Sequence, residues 1–115
     1  MMVTFTYVTL YVEDLQKVRD WYTDNVGLAA SFESASFVML AGTGGGRIGL
    51  HQGTSLPQPE RVQLHFEVPD VDALYQRLTE QGVSFKQAPT NASWGYRVAT
   101  LQDPAGHTVE LYTPL

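Results

Sequence analysis

The sequence predicts an α+β protein built from two βαβββ modules, and three observations carry this prediction. A strand-like alternation that runs into an aspartate, from Val8 to Asp14, recurs 56 residues later from Leu64 to Asp70. Each copy is followed by apolar residues at three-to-four spacing, which is typical of an amphipathic helix. Short alternating segments bounded by glycine or proline then follow, as expected of strands. A βαβββ plan repeated once therefore accounts for most of the chain.

The two helices are predicted to begin after Asp14 and Asp70, whose carboxylates can accept hydrogen bonds from the first helical turn. Glycines suited to the left-handed conformation, Gly27 and Gly82, mark their ends. The helix residues expected to face the core are Leu15, Val18, Trp21 or Tyr22, Val26, Val71, Leu74, Tyr75 and Leu78.

The remaining strands are predicted at about residues 28–33, 35–40 and 46–51, and again at about 83–86, 96–102 and 107–112. The modules then span residues 1–51 and 62–115 of a single domain, 1–115, and the linker 52–61 contains two prolines and no periodicity. The glycine-rich segment 41–46 predicts a hairpin turn and not a phosphate loop, because a strand pattern follows it.

Composition narrows the class of protein. At 115 residues and 43% apolar content, the chain can bury one core. The net charge of −5 is spread along the chain, which favours neither a nucleic-acid nor a membrane partner. The absence of cysteine excludes thiolate catalysis, cysteine-ligated zinc and disulfides. Neither a signal peptide nor an apolar run of membrane-spanning length is recognisable, so a cytoplasmic location is expected.

Several segments occur in an order that is characteristic of one superfamily. They are the opening segment 8–15 with Trp21-Tyr22 and Gly27-Leu28, the segment 66–72, Trp94-Gly95-x-Arg97, and Asp103-Pro104-x-Gly106-His107-x-Val109-Glu110-Leu111. In these segments the chain resembles the vicinal oxygen chelate superfamily, which includes glyoxalase I, bleomycin-resistance proteins, fosfomycin-resistance enzymes and extradiol dioxygenases. The resemblance implies a cupped mixed β-sheet with its helices on the convex face and its site on the concave face. It also implies a homodimer.

The strand residues separate into an aliphatic set and a polar set that is rich in aromatics. The aliphatic set, expected to face the helices, is Val8, Leu10, Val12, Ile48, Leu50, Leu64, Phe66, Val68, Val109 and Leu111. The opposite set is Phe5, Tyr7, Thr9, Tyr11, Arg47, Gly49, His51, Gln63, His65, Glu67, Thr108, Glu110 and Tyr112. Four polar strand faces that also carry aromatics predict a ligand cavity, and Glu110 is expected to face it.

The family resemblance assigns metal-ligand positions to Tyr7, Gly49, Gln63 and Glu110. Gln63 and Glu110 can bind a divalent ion, whereas neutral tyrosine is a poor ligand and glycine offers no side chain. The usual metal site is therefore expected to be lost.

A displaced metal site is the alternative. His51 and His65 lie two residues beyond Gly49 and Gln63, on the same strand face and about 7 Å further along. Together with Glu110 they would give two imidazoles and one carboxylate. If the first and last strands of each module run the same way, His51 and His65 are expected to share a layer with Thr9 and Tyr112. His107, next to a turn and out of phase with Glu110, is expected to be exposed.

Three functions remain open. The first is a metal-independent small-molecule binder, which needs no cofactor. The second is an enzyme that uses Zn, Ni, Mn or Fe to act on vicinal oxygens, as a lyase, isomerase, transferase or dioxygenase. The third is a metal-free acid–base enzyme that uses Glu110 with Tyr7 or His65.

The candidate residues are shared among these functions. The candidate catalytic residue is Glu110, and the candidate metal ligands are Glu110, His65, His51 and Gln63. The candidate ligand-binding residues are Tyr7, Thr9, Arg47, His51, Gln63, His65, Trp94 and Tyr112. Trp94 and Tyr96 form either an aromatic wall of the cavity or a plug at the end of the sheet.

Overall fold

The computed structural model describes residues 2–115. The chain divides into two compact units, and the boundary along the chain falls between Pro57 and Gln58, inside the predicted linker. Each unit contains one βαβββ module, so the predicted α+β class with two modules is confirmed.

The first module forms a four-stranded mixed sheet. Its elements are β1 (Val8–Val12), α1 (Leu15–Trp21), a π-helical turn that continues α1 (Tyr22–Val26), β2 (Ala29–Glu33), β3 (Phe37–Ala41) and β4 (Arg47–Gln52). The strand order is β1-β4-β3-β2, in which β1 and β4 are parallel and the other pairs are antiparallel.

The second module repeats this topology. A 3₁₀ turn (Pro59–Arg61) precedes β5 (Gln63–Glu67), α2 (Val71–Glu80), β6 (Phe85–Asn91), β7 (Tyr96–Gln102) and β8 (Thr108–Pro114). The order is β5-β8-β7-β6, with β5 and β8 parallel. The strand was predicted at about residues 83–86, whereas β6 extends to Asn91 and includes Pro89. It can do so because it is an edge strand with register shifts between Phe85 and Thr90, where a proline is tolerated.

Both helices begin and end as predicted from the sequence. The carboxylate of Asp14 accepts a hydrogen bond from the Lys17 N–H at 3.1 Å, and that of Asp70 accepts one from the Ala73 N–H at 3.0 Å. Gly27 and Gly82 have φ angles of 85° and 89°, the left-handed region in which glycine is favoured. No helix in residues 2–115 combines the length and apolar content that crossing a membrane would require.

The core of each module lies between its helix and the aliphatic face of its sheet. The aliphatic strand residues that are buried are Leu10, Val12, Ile48, Leu50, Val109 and Leu111, as predicted. Val8 is 48% exposed, and Leu64, Phe66 and Val68 are only half-buried. These four residues lie in or just after β1 and β5, which are edge strands and pack less closely against a helix than the inner strands do.

The expected exposure of His107 is wrong, because its side chain is 1% exposed. His107 Nδ1 lies 2.7 Å from one carboxylate oxygen of Asp103, and the other oxygen accepts hydrogen bonds from the N–H groups of Ala105 and His107. The turn between β7 and β8 thus closes over a buried His–Asp pair. The strand alternation did not predict this burial, because His107 lies in the turn before β8 and the turn sets the direction of its side chain.

An exposed ion pair joins α2 to β7. The guanidinium of Arg97 donates to both carboxylate oxygens of Asp72, at 2.8 and 2.9 Å. These hydrogen bonds lower the pKa of Asp72 below its ordinary value and raise that of Arg97. Arg97 therefore links β7 to α2 through two hydrogen bonds.

Asp72→Asn is expected to lower the melting temperature slightly at neutral pH. A carboxylate whose pKa is lowered by folding contributes stability above its ordinary pKa of 3.8, and this contribution is lost as the pH falls through the lowered value. Melting curves of both proteins should therefore begin to converge as the pH falls below 3.8 and should meet only below the lowered pKa of Asp72. A difference that persists unchanged in strong acid would contradict this account.

Candidate functional site

A cleft of about 310 Å³ opens on the polar face of the second module. Its lining consists of His65 on β5, Glu110 and Tyr112 on β8, Tyr96 on β7 and Trp94 in the turn before β7. Four of these five side chains are candidates from the sequence. Glu110 thus faces a cleft that is also lined by aromatic rings.

The polar part of the cleft is a pair formed by His65 and Glu110. The two residues stand opposite each other in the parallel β5–β8 pairing, so their side chains project from the same face. His65 Nδ1 lies 3.0 Å from Glu110 Oε1. The side chain of His65 is 48% exposed and that of Glu110 is 19% exposed, so the imidazole is the more accessible partner.

Three aromatic rings form the apolar part of the cleft. The Trp94 and Tyr96 ring centroids are 4.8 Å apart, and Tyr96 meets Tyr112 edge to face at 5.3 Å and 81°. Trp94 sits in a turn in which the Gly95 N–H donates to the Ala92 carbonyl, and its side chain remains exposed. Trp94 and Tyr96 therefore form an aromatic wall of the cleft and not a plug at the end of the sheet.

The predicted layering of the histidines is wrong. The first and last strands of each module do run parallel, but the register places Tyr11, and not Thr9, opposite His51. In the second module it places Glu110, and not Tyr112, opposite His65. The loops and helices between these strands are long, so the sequence carries no turn that fixes their register.

The polar face of the first module carries an aromatic cluster centred on Phe37. The Phe37 ring lies 6.4 Å from Tyr7 and 6.1 Å from His51, and Tyr11 lies 5.1 Å from His51. Phe32 joins the cluster at 6.4 Å from Phe37. Sequence reasoning missed both phenylalanines, although the alternation of Phe37, Met39 and Ala41 along β3 would have placed Phe37 on this face.

Gly49 makes the close approach of Phe37 possible. A Cβ atom at Gly49 would lie 2.8 and 2.9 Å from two carbons of the Phe37 ring and 3.1 Å from the hydroxyl of Thr9. The Phe37 ring therefore fills the space that a side chain at position 49 would occupy.

The metal-ligand positions that the resemblance assigns to the first module do not fit a divalent ion. Tyr7 packs edge-on against Phe37, and position 49 has neither a side chain nor room for one. In the second module, Gln63 lies exposed at the start of β5 opposite Thr108, outside the cleft lining. Within residues 2–115, no group of three or more His, Asp or Glu side chains is arranged to hold a metal ion.

Arg47 and Thr9 also belong to the polar face of the first module. Arg47 is exposed at the beginning of β4, and Thr9 stands opposite Gly49. His51 Nδ1 lies 2.8 Å from the Gln52 carbonyl, which can only accept, so this nitrogen carries the proton.

A larger cavity, of about 440 Å³, lies beside the beginning of α1. Its lining is mostly polar, includes Glu13, Asp14 and Glu33, and contains no aromatic ring. Size favours this cavity, whereas the convergence of aromatic and titratable groups favours the smaller cleft. We take the smaller cleft as the candidate site.

The repeated βαβββ topology places the chain among proteins built from two such modules, with a candidate site on the polar strand face. Comparison with known proteins gives the family. Residues 4–111 match the model of the Glyoxalase/Bleomycin resistance protein/Dioxygenase superfamily, and the chain belongs to this superfamily.

Three similar proteins cover nearly the whole chain. Uncharacterized protein YraH of Bacillus subtilis is 28% identical, covering 94% of this chain and 96% of YraH. The crystal structure of TnmS3, an antibiotic binding protein from Streptomyces sp. CB03234, superposes with a TM-score of 0.79 and is 29% identical, covering 99% of this chain and 98% of TnmS3. A glyoxalase/bleomycin resistance protein/dioxygenase from Nocardioides shares the fold at a TM-score of 0.81 and 22% identity, covering 100% of this chain and 85% of that one.

Proposed function

We propose that the chain binds an aromatic small molecule in the cleft of its second module and does so without a metal ion. The observation that carries the proposal is the wall of Trp94, Tyr96 and Tyr112 beside the His65–Glu110 pair. A site with rigid apolar rings and a few polar groups is the usual form of a small-molecule site. The likeness to the antibiotic binding protein TnmS3 supports the same function.

The absence of a metal requirement is supported by the first module. Phe37 packs against Gly49 where the family resemblance would put a ligand, so that position contributes packing and not coordination. Aromatic packing in place of a ligand is consistent with a binding protein.

Trp94→Ala is expected to weaken the binding of 2-naphthol by about 3- to 10-fold, because it removes one aromatic face from the cleft. Binding is measured by the chemical-shift changes of the protein during an NMR titration. Trp21→Phe serves as the matched control, since Trp21 packs against Tyr22 in the helical segment of the first module. Equal weakening by both variants, or binding that Trp94→Ala leaves intact, would count against the proposed site.

One observation favours the alternative of a divalent-metal-dependent lyase, transferase or dioxygenase. His65 and Glu110 are neighbouring groups of the kinds that ligate metals. Thermal-shift measurements with zinc, nickel, manganese and ferrous iron distinguish the two functions. We expect no stabilisation of the wild-type protein, and stabilisation that disappears in Glu110→Ala would favour the metalloenzyme.

Homodimerisation, a cytoplasmic location and the lack of a nucleic-acid partner stay predictions. Sedimentation equilibrium tests the first of these directly.

A further inference from the structure

We propose that His65 is the polar group that contacts the ligand, that Glu110 acts through it as a positioning residue, and that the cleft consequently selects aromatic molecules bearing a hydroxyl group. This assignment deepens the binding function proposed above and rests on it. It also reverses the roles expected from the sequence, in which Glu110 was the reactive group.

The first step concerns the proton between the two side chains. His65 Nδ1 lies 3.0 Å from Glu110 Oε1. An ionised carboxylate can only accept a hydrogen bond, so Nδ1 carries the proton and donates it. A neutral imidazole has one N–H, and its other nitrogen, Nε2, is therefore an acceptor. Glu110 thus selects the tautomer of His65.

The second step concerns access. The side chain of His65 is 48% exposed, against 19% for Glu110. Within residues 2–115, the hydrogen bond to Glu110 through Nδ1 is the one that the His65 ring makes, which leaves Nε2 available to a ligand. Glu110 is partly covered and already engaged through Oε1. Of these two side chains, His65 therefore offers the more accessible acceptor.

The third step concerns charge. Neither lysine nor arginine lines the cleft, so an anionic ligand would meet no cation there. A neutral acceptor beside aromatic rings is complementary to a neutral donor on an aromatic ligand, which is the chemistry of a phenol or a related ring hydroxyl. A protonated amine would instead require direct contact with the carboxylate.

The test uses three probes that share one ring system: 2-naphthol, 2-methoxynaphthalene and 2-naphthylmethylamine. Capping the hydroxyl with a methyl group removes the donor and keeps the ring. We expect the wild-type protein to bind 2-naphthol about 3- to 10-fold more tightly than its methyl ether, the range that one hydrogen bond contributes. His65→Phe keeps a ring at the position, removes the acceptor and should abolish this preference.

A spectroscopic readout separates positioning by Glu110 from a merely structural role. Long-range ¹⁵N–¹H spectra of the wild-type protein should show the His65 ring protonated at Nδ1. Glu110→Ala should shift the ring toward the Nε2–H form and reduce the preference for 2-naphthol. Glu67→Ala is the matched control, because Glu67 lies exposed on the same face of β5 and outside the cleft lining.

The outcomes are distinguishable. If none of the probes binds, the proposed binding function fails, and this inference with it. If the probes bind but 2-naphthol and its methyl ether bind equally well, the binding function stands and the role of His65 is overturned. Tightest binding of the amine, lost in Glu110→Ala and retained in His65→Phe, would overturn it in favour of a carboxylate that contacts the ligand itself.

Discussion

Replacing His107 with alanine is expected to destabilise the protein by about 3–5 kcal/mol, because it removes the imidazole that hydrogen-bonds to the buried carboxylate of Asp103. The two side chains are 1% and 0% exposed and lie 2.7 Å apart. The same carboxylate accepts two backbone N–H groups of the turn between β7 and β8. Loss of the imidazole would therefore weaken the turn that joins the two central strands of the second sheet.

Urea unfolding of the purified variant measures this effect, and the chain supplies a matched control. His65 also pairs with a carboxylate in the second module, but its side chain is 48% exposed. Even a charged pair at an exposed position contributes only about 0–1 kcal/mol, so His65→Ala should cost far less than His107→Ala. Similar costs for the two variants would contradict a structural role for the buried pair.

Gly49→Ala is expected to cost about 1–3 kcal/mol, the range for adding atoms to a packed region. The new Cβ atom would lie 2.8 Å from the Phe37 ring, closer than van der Waals contact allows. The φ angle of Gly49 is not positive, so the backbone at this position can accommodate alanine. The expected cost therefore arises from the Phe37 ring, which must move.

A double-mutant cycle isolates that cause. In the Phe37→Leu background the ring is gone, and Gly49→Ala should then cost less than half of its effect in the wild-type protein. Gly46→Ala makes the same chemical change where nothing lies within 4 Å of the added carbon, and it should be close to neutral. A cost at Gly49 that is the same in both backgrounds would show that Phe37 is not the obstacle.

The second module contains two histidine–carboxylate pairs that have similar contacts but differ in burial. His107 and Asp103 are enclosed, and Asp103 accepts hydrogen bonds from the His107 backbone N–H and lies 2.7 Å from the His107 ring nitrogen. His65 and Glu110 have the same kind of contact at 3.0 Å but border an open cleft. The enclosed pair is therefore expected to contribute to stability, whereas the open pair is the one for which ligand binding is proposed.

Much of the fold was predictable because it depends on local rules. Alternation predicted the strands, three-to-four spacing predicted the helices, and Asp14, Asp70, Gly27 and Gly82 marked the helix ends. The internal repeat then gave the same order of elements, βαβββ, to both modules. The polar strand faces were also predictable, which is why His65, Glu110 and Tyr112 were candidates before the structure was known.

What the sequence by itself determined is thus the βαβββ repeat and the face on which each strand residue lies, since both follow from side-chain periodicity. Only the tertiary structure decided which residues on a face become neighbours. The parallel pairing of β5 with β8 set His65 beside Glu110, and a turn buried His107. Packing across β3 and β4 put the Phe37 ring over Gly49. Register and ring packing depend on contacts between residues far apart in the chain, and no local spacing encodes them.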